Sequence, residues 1–278
     1  MKKLFDQLSY SCSEKTTKTY STSFSFGIRV LYKSLREPIY NIYGFVRFAD
    51  EIVDSFHDFN KKELLIRFKK DTFTAIEEKI SLNPILNSFQ STVHKYNIDL
   101  KLIDNFLDSM QMDLNQQSHN DETYKNYIYG SAEVVGLMCL HVFVNADDKL
   151  YQKLKPFAMK LGSAFQKVNF LRDINNDTKN LGRIYFPNID INDFQENQKI
   201  DIEKDIYKDF SDAFKGIQLL PLESRGGVYL AYLYYITLFK KIESKSINKL
   251  FEDRIRLNNI YKINLMFRAI ISNYLNLV

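Results

Sequence analysis

The 278 residues carry a net charge of only +4 and two cysteines, Cys12 and Cys139. That excludes a disulfide framework and favours a reducing compartment; with no nucleic-acid motif beside the charge, it also argues against a nucleic-acid partner. No stretch approaches the ~18–20 uninterrupted apolar residues of a membrane span, and the opening MKKLFDQLSYSCSEK has no apolar core long enough for a secretory signal, so a cytoplasmic location is expected.

No Gly/Ser or Pro run and no low-complexity tract divides the chain, so one domain over 1–278 is expected, with an ample core. Scarce Gly (9) and Pro (5) favour long helices over many turns. Twenty-two Phe and eighteen Tyr, with no Trp, suffice to line a large apolar cavity as well as a core. In chain order, helical periodicity covers 4–20, 38–56, 61–80, 84–95, 99–113, 121–146, 148–178, 201–215, 223–243 and 246–275. Pro38, Pro84 and Pro156 are read as lying near helix starts, and Asn83 and Asp99 as N-caps. The stretch 179–200 breaks the pattern and reads as a loop. Nothing alternates with period two, so the fold class is all-α, a helical bundle around a central apolar cavity.

Two aspartate pairs of equal spacing stand out, Asp50-x-x-x-Asp54 and Asp173-x-x-x-Asp177, each with an arginine close upstream, Arg47 and Arg172. Positions four apart share a helix face. On a wheel, Tyr43, Arg47, Asp50 and Asp54 fall within roughly 60°, and Asp50 lies inside the apolar stripe of Ile39, Tyr43, Val46 and Val53. A buried carboxylate there needs a cation or a partner. Gln166, Asn169, Asp173 and Asp177 share roughly 80° of a second helix. If the two helices face each other, their acids meet across one cavity, and hard oxygen donors of this kind suit Mg2+ held against substrate phosphates. Other chemistries fit worse. A di-iron bundle wants Glu-x-x-His twice, and only Asp54-x-x-His57 resembles one half. His94, His119 and His141 have no ligand spacing, and no GxGxxG or Walker loop supports a nucleotide or nicotinamide site.

At these residues the chain resembles the squalene/phytoene synthase family of head-to-head prenyl transferases. The blocks that carry the likeness are Tyr20–Gly27 (YSTSFSFG), Tyr43–Asp54 (YGFVRFADEIVD), Tyr129–Gly136 (YGSAEVVG), Leu161–Asp177 (LGSAFQKVNFLRDINND) and Gly182–Pro187 (GRIYFP). Overall the chain is most similar to the bacterial phytoene synthases. The resemblance implies an isoprenoid-synthase bundle in which Asp50, Asp54, Asp173 and Asp177, helped by Asn169 and by Glu51 (where many relatives have a second Asp), hold Mg2+, with Mn2+ as a substitute. It implies that Arg47, Arg172, Gln166, Ser23, Phe24 and Arg254 contact the substrate diphosphates or flank them. Tyr43, Tyr129 and Tyr229 are implied to lie near the reacting carbons. Tyr20 departs from the basic or imidazole side chain of some relatives, which puts a phosphate contact there in doubt.

The implied reaction joins two geranylgeranyl diphosphates through a cyclopropylcarbinyl diphosphate to phytoene, with no nicotinamide cofactor. A farnesyl-using dehydrosqualene or squalene synthase is the nearest rival, and a non-catalytic assembly relative a second. A head-to-tail elongator is disfavoured because it would carry DDxxD-type motifs where this chain has DExxD and DxxxD. A monomer or weak dimer is expected. The excess of Lys and Arg between Lys240 and Arg268, set against Glu243, Glu252 and Asp253, marks a candidate surface for peripheral contact with the inner face of a membrane.

Overall fold

The helices begin where short polar side chains satisfy otherwise free backbone N–H groups. The computed structural model describes residues 1–115, 118–179, 182–187, 189, 190, 193–252 and 254–278; Asp253 and parts of the 179–200 stretch therefore lie outside the described residues. Asn83 accepts from the N–H groups of Ile85 and Leu86, with Pro84 in the first helical position. Asp99 accepts from Lys101 N at 2.9 Å, and Asn120 and Thr123 form a reciprocal capping box.

In order the helices are α1 (Lys2–Tyr20), α2 (Thr22–Val30), α3 (Lys33–Asp54), α4 (Lys61–Glu78), α5 (Pro84–Tyr96), α6 (Leu100–Asn115) and α7 (Asp121–Ile128). A π-helical turn, Tyr129–Glu133, joins α7 to α8 (Val134–Phe143). Then come α9 (Asp148–Lys179), α10 (Glu196–Gln218), α11 (Leu222–Glu243), α12 (Ile247–Leu250) and α13 (Asn259–Tyr274). Among the described residues the one departure from helix and loop is a single bridge pairing Ser118 with Ile184. The all-α expectation holds.

Three local expectations need correction. Residues 22–30 form a separate helix, started by Ser21, whose hydroxyl accepts from Phe24 N. Pro38 and Pro156 sit inside α3 and α9 rather than at their starts. In α3 the buried Leu35 draws an extra turn into the core ahead of the proline, and that burial outweighs one lost ladder bond. The supposed helix 246–275 is broken between α12 and α13, and the break carries Arg254 toward α9.

Two apolar clusters set the walls. In the first, Phe45 of α3 is fully buried, stacks on Phe89 of α5 at 4.0 Å between centroids, and touches Phe106 of α6 at 5.5 Å. In the second, Phe170 of α9 stacks on Tyr185 at 4.2 Å, while Phe210 and Phe239 fix α10 and α11 behind it. The acidic helices α3 and α9 are thereby held on opposite sides of an interior cavity of about 1020 Å3. Helix α9 is seated closely on the π-turn through Gly162, where an added Cβ would lie 2.8 Å from the Ala132 carbonyl oxygen and 3.0 Å from Glu133 Cα. Backbone cannot yield as a flexible side chain can, so Gly162→Ala should cost about 1–3 kcal/mol. The check is a lower denaturant midpoint at unchanged m-value.

Candidate active site

Helical phase decides which side chains reach the cavity. From α3 come Tyr43, Arg47, Asp50 and Asp54, and from α9 Gln166, Asn169, Arg172, Asp173 and Asp177. Both acidic arcs face the same cavity. Phe24 of α2 and Arg254, from the link after α12, also line it.

Ser23, Glu51, Tyr129 and Tyr229 do not. On α2 the cavity takes Phe24, Gly27, Ile28 and Leu31, the i, i+3, i+4, i+7 positions, and Ser23 is rotated off that stripe. Glu51 is paired with Arg47 four residues earlier. The π-turn presents Ser131 and Ala132, and α8 then Val135, in place of Tyr129. On α11 the cavity receives Val228, Ala231 and Tyr235, while Tyr229 turns aside, 6.2 Å from Phe214 and 6.3 Å from Tyr232 between ring centroids. Tyr235 is thus the cavity tyrosine of α11. It stacks on Phe165 at 3.8 Å, and its hydroxyl donates to Asn169 Oδ1 at 3.3 Å. Tyr20 contributes a ring face: the Arg47 guanidinium lies 4.3 Å from its centroid.

Two buried groups escaped the sequence reading. Asp113 projects from the end of α6, accepts from Tyr127 OH at 2.7 Å and from Tyr185 OH at 3.4 Å, and has a side chain only 7% exposed. Phe106, Met110 and Asp113 fall at i, i+4 and i+7, so this acid interrupts an apolar stripe just as Asp50 does, and the same signal would have found it. Arg183 was quoted within GRIYFP without a role. The left-handed Gly182 (φ +64°) and a bond from Arg183 N to the Asp177 carbonyl at 2.8 Å turn the chain back over α9. The guanidinium then donates to Asp54 Oδ1 at 3.1 Å and lies 3.9 Å from Asp113. One cation so joins α3 to α6. Across the mouth Asp173 is held by Arg172 (Nε to Oδ1, 3.0 Å) and by Arg254 (Nε to Oδ1, 2.7 Å).

These arginines leave the acids incompletely compensated. Asp50 is pushed up to about 7, first by burial and then by Asp54, against the pull of Arg47. Asp177 is pushed up to about 7 by burial, then by Asp173 and by Asp54 from the opposite helix. Asp113 is also raised to about 7 by burial, with Arg183 opposing. The donors are hard oxygens, and a shortage of positive charge is what a divalent cation would relieve. Among the described residues no three acidic, His or Cys side chains converge on one point. Each ion would therefore be held by one or two carboxylates and complete its sphere with phosphate oxygens and water, the usual habit of Mg2+. Arg47 Nε and Ser131 Oγ, both on residues lining the cavity, are buried without a hydrogen-bond partner and are suited to an oxygen-rich anion.

Below this polar mouth the wall changes. Phe24 lies 5.7 Å from the Tyr43 ring and 6.3 Å from that of Tyr235, forming an aromatic band. Burial pushes the Tyr43 hydroxyl up to about 12, so it stays a neutral donor. Beyond the band the lining is Leu31, Leu140, Phe143, Leu154, Phe157 and Leu220. The arrangement suits a molecule with an anionic head and a long hydrocarbon tail.

Residues 17–260 match the family model described as Squalene/phytoene synthase. The chain is 27% identical over 207 residues to 4,4'-diapophytoene synthase of Staphylococcus haemolyticus, covering 72% of this chain and 70% of that protein. It is 26% identical to phytoene synthase of Arthrospira platensis over 84% of each. It is 27% identical to the chloroplastic phytoene synthase 1 of Zea mays over 89% of this chain, spanning 63% of the maize protein. A crystal structure of a dehydrosqualene synthase in complex with ligand superposes with a TM-score of 0.83 at 20% identity over 98% of both chains. The squalene synthase HpnC of Alicyclobacillus acidocaldarius gives 0.73 at 18% identity over 86% of this chain and 94% of that one.

The electrostatics predict a pH signature. A carboxyl whose folded pKa is raised from 3.8 to about 7 favours the folded state when protonated. The cation-free fold therefore loses stability as pH rises from about 4, near the unfolded value, to about 7, the folded one. Glu133, also raised to about 7, acts in the same sense, while His119 and His141, lowered by burial, act oppositely. Comparing wild type with Asp50→Asn isolates one group: in calorimetry without metal the variant's melting temperature relative to wild type should be higher at pH 8 than at pH 5.5, where part of the linked loss has yet to occur. Added Mg2+ should stabilise wild type more at pH 8, where its ligands are ionised.

Proposed function

This chain belongs to the squalene/phytoene synthase family, and we propose that it condenses two geranylgeranyl diphosphates head to head to phytoene, a step of carotenoid synthesis. The observation that carries this reading is the pair of acidic arcs, Asp50 with Asp54 and Asp173 with Asp177, facing one cavity whose far end is hydrocarbon-lined. Phytoene synthases among the similar proteins support the forty-carbon product. The diapophytoene synthase relative supports a second reading, the same reaction on two farnesyl diphosphates.

Mg2+, with Mn2+ as a substitute, would be held by Asp50, Asp54, Asp173 and Asp177, with Asn169 as a neutral oxygen donor, and would neutralise the departing diphosphate. Arg47, Arg172, Arg183 and Arg254 bind that group through forked N–H donors, which strengthens C–O cleavage of the first donor as negative charge gathers on the leaving oxygen. The allylic cation left behind is attacked by the double bond of the second substrate, and loss of one proton closes the ring of a cyclopropylcarbinyl diphosphate. Its own C–O bond then breaks, the skeleton rearranges, and a second proton passes to a diphosphate oxygen. Two diphosphates and two protons leave per hydrocarbon formed, and no reductant is consumed. The Phe24–Tyr43–Tyr235 band faces the cations with rings that carry no competing nucleophile at neutral pH, and the packed wall beyond excludes water. Asn169, by accepting from Tyr235, fixes that ring in place. Gln166, on the same face of α9, supplies a further polar contact at the head of the substrate.

Asp50→Asn and Asp173→Asn should each lower turnover by at least about 10²–10³-fold, the scale on which removing a preorganised charge-stabilising group acts, with helical circular dichroism retained. Wild-type rates in both variants would defeat the assignment. Supplied singly with Mg2+ and no nicotinamide, geranylgeranyl diphosphate should give a forty-carbon hydrocarbon by mass spectrometry; product from farnesyl diphosphate alone would select the second reading.

A further inference from the structure

Helix α13 is apolar on two opposite faces and packed on only one. Leu265 and Ala269 are buried where the helix lies on α2 and α11. Its side-chain hydrogen bonds run along the edges of that inner face. Lys262 Nζ donates to Thr22 Oγ1 at 3.0 Å, Tyr234 OH to the Lys262 carbonyl at 2.9 Å, and Arg225 Nε to Asn273 Oδ1 at 3.0 Å. On the wheel Ile260, Ile263, Phe267, Ile270, Ile271 and Tyr274 fill an arc of roughly 100° on the opposite side. All six are exposed, Phe267 at 56% and Tyr274 at 86%. A surface helix normally turns polar residues outward, and a contiguous apolar face of this kind marks an interaction surface.

Charge and position identify the occupant. From Arg254 to Val278 the sequence holds no acidic residue; Arg254 and Arg256 line the cavity, and the cations left beside the apolar arc are Lys262, on its inner edge, and the exposed Arg268. The helix, about 24 Å long at 1.5 Å per residue, carries a tyrosine near each end, Tyr261 and Tyr274, the side chain that favours a lipid–water boundary. No helix among the described residues is long and apolar enough to cross a bilayer, so α13 would lie in the surface and not span it. The helices beneath it, α2 and α11, supply Gly27, Ile28, Leu31, Gly227 and Val228 to the cavity wall. The layer of α2 and α11 thus separates the apolar half of the cavity from α13, whose far side is the exposed face. Near the end of α13 the patch continues over Tyr32, Leu222 and Leu275, all exposed, and Asn273 Nδ2 ties this edge to the Leu222 carbonyl at 3.3 Å.

We propose that the outer face of α13 seats this protein on an anionic bilayer, parallel to the membrane plane, with the apolar half of the cavity toward the lipid. The purpose of such seating, delivery of a hydrocarbon that water would not take up, rests on the proposed function; the seating itself needs no turnover and is tested without substrate. Because the chain has no Trp, Tyr274→Trp places a single reporter on the patch. With phosphatidylcholine vesicles containing phosphatidylglycerol its emission should shift to the blue, and the full chain should co-sediment. Phe267→Glu combined with Ile271→Glu should weaken co-sedimentation by at least about tenfold, two interface-seated apolar side chains having been replaced by charge, while diphosphate release in detergent stays at the wild-type rate. An unshifted reporter, equal binding to pure phosphatidylcholine, or undiminished binding by the double variant would overturn the proposal. So would a wild-type dimer, seen by light scattering, that the double variant dissolves without changing vesicle binding, since the patch would then belong to a second copy. Failure of turnover with every prenyl diphosphate would leave these vesicle results standing and would count against the proposed function alone.

Discussion

Like charges repel most strongly where water cannot screen them, and this fold gathers five carboxylates, Asp50, Asp54, Asp113, Asp173 and Asp177, around one interior cavity. The protein meets part of that cost itself. Arg183 serves Asp54 and Asp113, and Arg172 with Arg254 serves Asp173. Asp50 and Asp177, one on each acidic helix, are left raised to about 7 by burial and by their acidic neighbours, and burial holds Asp113 there too in spite of Arg183. An architecture that spends packing on two helices and leaves a charge deficit between them is poised to take up cations together with an anion, and is less comfortable without them. The rest of the cavity makes sense around that deficit.

The division between a charged mouth and a hydrocarbon interior follows from where side chains fall on α2, α3, α9 and α11. Each helix gives the cavity one stripe, and the stripes change character along their length: α3 runs from Ile39 and Ile42 through Tyr43 to Asp50 and Asp54. The aromatic band of Phe24, Tyr43, Phe165 and Tyr235 stands at the changeover. It offers polarisable ring faces and neutral hydroxyls but no ready nucleophile, the lining that carbocation chemistry demands of a protein. The close packing of Gly27 on Gly227, whose added Cβ would lie 2.9 Å from the Gly27 carbonyl oxygen, keeps the α2–α11 wall thin on the side that α13 covers.

Much of this was legible in the amino-acid sequence because the decisive signal was a contradiction within a helix, an aspartate in the apolar stripe around Asp50, joined to an aspartate pair of the same spacing about 120 residues later. The same logic applied to Phe106, Met110 and Asp113 would have added the fifth acid. Residues carried by resemblance fared according to helix phase. Arg47, Arg172, Gln166, Asn169 and Arg254 do line the cavity, whereas Tyr129 and Tyr229 are rotated away by a π-turn and by the register of α11. Periodicity gives no warning of a π-turn, since it shifts the phase without altering composition. Nor could local pattern reveal that α2 is a separate helix or that Leu35 pulls Pro38 inside α3, because both depend on burial against distant partners. The break between α12 and α13 was hidden for the opposite reason: the stretch after it is apolar on two opposite faces, and a sequence window cannot say that one of those faces lacks a partner.

The account depends on the two acidic helices binding cations jointly with a diphosphate. Electron paramagnetic resonance of Mn2+ titrated into the protein, with and without inorganic diphosphate, measures this directly. Binding should tighten sharply when diphosphate is present. Removal of either Asp50 or Asp173 should abolish that gain, and the double variant should lose little more than either single one. Mn2+ binding that ignores diphosphate, or losses from α3 and α9 that simply add, would mean that the helices act as separate sites and would contradict the account.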